Sequence, residues 1–155
     1  MAATDPKPLI TGIAHINLSI PPGTLAHAKA FYGETLGLTP RAVPAAQTET
    51  LAWFDVGPAT TGDSQQQQQQ VHISTAKHSE DTTSATSSRH PCFAVGSVEA
   101  LHALQNRILA HHQRGGPDAP MMADPVGTSS GSQGAEYPTR FFARDFAGNR
   151  LEFSL

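Results

Sequence analysis

The feature that most constrains this chain is that it repeats its own pattern. His15-Ile16-Asn17-Leu18-Ser19-Ile20 alternates as a half-buried strand does. After the breaker Pro21-Pro22-Gly23 comes a helical pattern, Thr24 to Leu36, with Leu25, Ala28, Phe31 and Leu36 on its apolar stripe. His90-Pro91-Cys92-Phe93-Ala94-Val95 has the shape of the first strand. It is followed by a predicted helix from Val98 to Gln113 with Leu101, Leu104 and Ile108 at helical spacing. The ends of the halves also match, Gln70-Val71-His72-Ile73-Ser74 lining up with Arg150-Leu151-Glu152-Phe153-Ser154. Self-similarity of this kind decides an architecture before any local propensity does.

Between helix and closing strand each half has room for two more strands, at 38–43 and 51–56 in the first and at 120–124 and 139–144 in the second. Each half therefore reads strand, helix, strand, strand, strand, an α+β arrangement. A chain of 155 residues is the size of a single domain, which we divide into a module at 12–75, a polar linker at 76–88 and a module at 89–155. The stretch 57–70, which contains six consecutive glutamines, is a low-complexity insertion, and Gly127 to Gly134 is flexible by composition and suited to a lid.

Strand alternation sorts the side chains by face. In the first strand Ile16, Leu18 and Ile20 go to the helix, leaving His15, Asn17 and Ser19 on the other face. The same sorting puts His90 and Cys92 opposite Phe93 and Val95, His72 opposite Val71 and Ile73, and Glu152 opposite Leu151 and Phe153. Each of these strands thus turns a metal-ligand type to its non-helix face. If the two sheets curve toward one another, His15, His72, His90 and Glu152 converge as three imidazoles and a carboxylate. That donor set suits Zn, Ni, Fe(II), Co or Mn. The remaining histidines, His27, His78, His102, His111 and His112, lack the pattern and are expected at the surface. Cys92 is expected as a small packed residue. Trp53, Phe54, Tyr137, Phe141 and Phe142 are candidate pocket walls, and Arg140, Arg144 and Arg150 are candidates to orient an anion.

The segments IAHINLSI, AKAFYGETLGL, QVHIS, HPCFAV and RDFAGNRLEF resemble the signature segments of the vicinal oxygen chelate superfamily, which includes glyoxalase I, extradiol dioxygenases and the fosfomycin- and bleomycin-resistance proteins. The likeness runs from about Gly12 to Leu155 and is most specific in the closing D-x-x-G-N-R-L-E-F. It implies two βαβββ modules forming a cupped mixed sheet around a divalent metal. His15 and His90 match ligand histidines on the first strand of each module, Glu152 matches the carboxylate on the last, and His72 falls on the fourth ligand place. There bacterial-type glyoxalase I usually has glutamate and extradiol dioxygenases have no ligand. The resemblance implies a metal-dependent enzyme of the glyoxalase-like branch acting on a small vicinal-oxygen substrate, with lyase or isomerase chemistry through an enediolate. Glu152 and His72 are then the catalytic acid-base candidates. An extradiol-type Fe(II) dioxygenase and a non-catalytic drug-binding protein are the alternatives, and relatives of this size commonly form homodimers.

Composition narrows the partners. A net charge of -3 with only ten Lys and Arg provides no basic field for nucleic acid. No stretch is long and apolar enough for a membrane helix, and MAATDPKPL lacks the apolar run of a signal peptide. With the single cysteine Cys92, these features lead us to expect a cytoplasmic protein.

Overall fold

The computed structural model describes residues 12–58, 68–77 and 85–155. Half of the glutamine run, most of the linker and His78 lie outside the described residues.

The duplication is realised as two four-stranded sheets of identical order. In the first, β1 (His15–Ile20), β2 (Thr39–Arg41), β3 (Leu51–Asp55) and β4 (Gln70–Thr75) lie in the order β1-β4-β3-β2. In the second, β5 (Cys92–Ala94), β6 (Met122–Ala123), β7 (Arg140–Arg144) and β8 (Arg150–Ser154) lie in the order β5-β8-β7-β6. The first strand of each half pairs in parallel with the last, and the other pairings are antiparallel. A parallel pair needs a long crossover, which the helix and the two middle strands supply.

The first helix, α1, begins as one α-helical turn, Leu25–Ala28, and continues as a π-helical stretch, Lys29–Thr35. The wider spacing is seen where the Leu36 N–H reaches five residues back to the Phe31 carbonyl at 2.9 Å. The second helix, α2 (Val98–Arg114), is regular because its ends are well made. Ser97 Oγ accepts from the Ala100 N–H at 3.1 Å. At the other end Gly115 takes a φ of 72° and donates back to the His111 carbonyl. Leu101, Gln105, Ile108 and His111 form its buried face.

One apolar cluster runs through both halves, joining Ile20, Phe31, Phe54 and Ile73 to Ile108, Phe141, Leu151 and Phe153. Each such side chain contributes roughly 1.5–3 kcal/mol by leaving water. Directed bonds fix how the halves meet. Tyr32 Oη, fully buried, donates to Asp145 Oδ2 at 2.7 Å, and Asn149 Nδ2 donates to the Ser19 carbonyl at 3.0 Å. Asp145 also accepts from the backbone N–H groups of Ala147 and Asn149, at 2.9 and 2.8 Å. The turn that carries these bonds needs Gly148, whose φ is 88°. Burial raises the Asp145 carboxyl pKa above its ordinary value, against the pull of these donors.

One expectation is corrected here. His111 is 2% exposed and is not a surface residue. Its Nδ1 lies 2.7 Å from Thr35 Oγ1 and its Nε2 lies 3.2 Å from Asp118 Oδ2, so it pins α2 to the π-helical stretch of α1.

Candidate functional site

On the first sheet, β1 and β4 place His15 opposite Gln70, and His72 follows two residues on. That diagonal is within reach of large side chains on one face. The His15 and His72 rings stack with centroids 4.1 Å apart and planes 12° from parallel. Trp53, the register partner of His72 on β3, stacks on it at 4.6 Å. Gln70 Nε2 donates to Asp55 Oδ1 at 2.7 Å, which turns Gln70 Oε1 toward His72 Nε2 at 2.9 Å. An amide oxygen accepts only, so this network assigns the ring proton to Nε2 and leaves Nδ1 with a lone pair. Partial burial, and then the neighbouring His15, lower the His72 pKa below its ordinary value, which keeps that lone pair available.

The second sheet repeats the diagonal with different chemistry. Cys92 pairs with Glu152, and continuing that register back two residues sets His90 against Arg150, with Glu152 two residues further on. His90 Nδ1 lies 2.6 Å from the Ser88 carbonyl, which can only accept, so Nδ1 carries the proton. His90 Nε2 then faces Glu152 Oε2 at 2.8 Å. Two lone pairs at that distance attract only when a proton or a cation lies between them. The other carboxylate oxygen, Oε1, accepts from Arg140 Nη1 at 2.9 Å. Glu152 is 7% exposed, so its charge is held by partners and little by water. The Phe142 ring stands edge-on to His90 at 5.5 Å and carries the Arg150 guanidinium over its face at 4.2 Å.

The structure thus brings the four candidate residues together as two pairs, His15 with His72 and His90 with Glu152. Among the described residues no three His, Cys, Asp or Glu side chains stand close enough to hold one ion. Each pair alone falls short of the three protein ligands typical of a catalytic zinc site.

Other candidates resolve individually. Cys92 is exposed beside Glu152, and partial burial followed by that charge pushes its thiol pKa up, away from the thiolate a metal prefers. Arg140 holds a carboxylate, but one belonging to this chain. Arg144 donates to the carbonyls of Ser87 and Gly148. The 127–134 segment borders a cavity of about 250 Å³ against α2, lined by residues including Gln105, Thr128, Ser132, Tyr137 and Arg140. Sequence reasoning did not find the supporting partners of the histidines. Gln70 was legible as a same-face neighbour of His72; the Ser88 carbonyl, a backbone group, leaves no trace in residue type.

The chemistry of the pairs fits metal ligation: each histidine with an assigned tautomer has its second nitrogen oriented by an acceptor, as ligand histidines do. No protein-family model and no curated protein matches the chain. Solved structures do. A Bacillus anthracis protein named for the glyoxalase family is 24% identical, with a TM-score of 0.63 over 95% of this chain and 96% of that one. A fosfomycin resistance protein of Listeria monocytogenes is 14% identical, with a TM-score of 0.64 over 94% and 91%. The lactoylglutathione lyase of Agrobacterium tumefaciens is 18% identical, with a TM-score of 0.59 over 93% and 92%. Two βαβββ halves of one topology, shared with these structures along nearly the whole chain, give this protein the fold of the vicinal oxygen chelate superfamily.

Proposed function

We propose that the protein is a divalent-metal-dependent enzyme of the glyoxalase-like kind, acting on a small substrate with two adjacent oxygens. The observation that carries this reading is the pairing of ligand-type side chains on the same diagonal of both sheets. The lone pairs assigned to His72 and His90 are free of any bond to backbone. Because each pair is half a site, we further propose that the chain works as a homodimer, with His15 and His72 of one copy facing His90 and Glu152 of the other. A variant of the Listeria fosfomycin resistance protein has been solved with Mn(II) and a dihydroxypropylphosphonic acid, a ligand with oxygens on neighbouring carbons; this likeness supports the class of substrate.

When bound, the ion supplies Lewis acidity to the two substrate oxygens. The chain's own residues do the rest. His15, His72 and His90 offer imidazole nitrogens, and Trp53 walls one side of the pair with an apolar ring. Glu152 has Oε1 occupied by Arg140, so Oε2 is the oxygen that ligates or receives a proton from the carbon next to a carbonyl. His72, whose pKa is lowered by partial burial and by His15, is the second acid-base candidate only where it is not a ligand.

Metal analysis of tag-free protein, beside assays of methylglyoxal–glutathione adduct conversion and catechol-dependent oxygen uptake, tests the reading. Stoichiometric metal with isomerisation supports it. Fe(II)-dependent oxygen uptake would replace it with a dioxygenase, and chain that neither holds nor gains metal would make it a binding protein.

A further inference from the structure

We infer that Arg140 is a positioning residue that fixes Glu152 as a one-oxygen ligand and ties it to the 127–139 segment. This rests on the metal reading above.

Arg140 stands at the start of β7, opposite Ser154, with its side chain 16% exposed. Its fork reaches two ways. Nη1 donates to Glu152 Oε1 at 2.9 Å, while Nη2 donates to the Ser132 carbonyl at 3.1 Å. The guanidinium carbon lies 4.6 Å from the centre of the Tyr137 ring and 5.4 Å from that of Phe142. A side chain bonded at both tips and in contact with two rings is restrained, and it holds Glu152 with Oε2 turned to His90. Carboxylates bind metals through one oxygen or two, and a guanidinium on Oε1 favours the first mode. Lysine could supply the charge at one tip but not both bonds.

The segment is seated by contact with the same ring. A Cβ built on Gly131 would overlap Phe142, so only glycine lets the chain pass close enough for the Ser132 carbonyl to meet Arg140. The cavity beside α2 is lined by Ser132 and Arg140 together, which makes the position of this segment part of the geometry of the carboxylate.

The test measures Co(II) affinity and the visible spectrum of the bound ion in the full chain, with folding checked by circular dichroism. R140Q should bind about 10- to 100-fold more weakly, the usual effect of losing a partner that orients a ligand. Its spectrum should shift as Glu152 gains freedom to bind through two oxygens. R140K should recover part of the affinity, and G131A, which reaches the ligand and the arginine only through Phe142, should lose roughly fivefold, the scale of one hydrogen bond. If R140Q does not fold, R140K and G131A carry the comparison. Wild-type affinity and spectrum in the folded variants would overturn the role of Arg140 alone. Absence of Co(II) binding by the wild type would overturn the metal reading and this one with it.

Discussion

The two half-sites occupy the same diagonal of the same scaffold, yet they are stabilised in opposite ways. On β1 and β4 two imidazoles stack beside an indole, with His15 open to solvent. On β5 and β8 a carboxylate lies buried between an imidazole and a guanidinium. The duplication supplies position, and the residues placed there decide whether a half-site rests on ring stacking or on a buried, ion-paired carboxylate. Loss of a ligand should therefore disturb metal binding similarly in both halves and disturb folding in only one.

The sharpest contrast is between E152A and H72A. Both should lose most bound metal. E152A also strands the Arg140 guanidinium, at about 3–5 kcal/mol for breaking a buried pair from one side. H72A forfeits ring stacking worth about 1 kcal/mol. Urea unfolding of the metal-free proteins measures both, and equal stability losses would break the comparison.

The joint between the halves comes next. Y32F removes a donor from buried Asp145 and should lower stability by about 1–3 kcal/mol. Burial, and then the Asp145 charge, raise the Tyr32 pKa well above 10.0. The folded chain thus holds the phenol proton more tightly than the unfolded chain does. That contribution is full below pH 10 and is lost as pH rises through the folded-state value. Wild type should therefore lose stability above pH 10 more steeply than Y32F, as read by urea midpoints across pH; parallel curves would refute the assignment. The smallest effect is expected from C92S, which sits beside Glu152 on the ligand face: a change within about 0.5 kcal/mol and unaltered metal content. Loss of metal in C92S would add sulfur to the second half-site.

Much of this was legible before any coordinates. Alternation in 15–20, 70–75 and 150–154 located the strands and the faces of His15, His72 and Glu152, because one side of each strand is apolar. The β5 strand is shorter than its pattern, since Pro91 has no N–H to donate. The π-helical part of α1 carries no periodic signature short enough to detect. His111 could have been placed correctly: it lies ten residues after Leu101 and three after Ile108, on the buried stripe of α2. Its polarity, set against an apolar rule, hid a buried histidine satisfied by Thr35. For the site, alternation gave each residue's face but not which sheet faces which, because that depends on packing beyond the single strand.

Mixing chains tests the central claim most directly. A differently tagged H15A/H72A chain and H90A/E152A chain, each unable to hold metal, are refolded together and the mixed dimer is isolated. If a site joins the first half of one copy to the second half of the other, one site in the mixed dimer is intact, and one tightly bound ion per mixed dimer is predicted. A mixed dimer as empty as its parents would contradict the account, since every site would then draw both halves from a single chain.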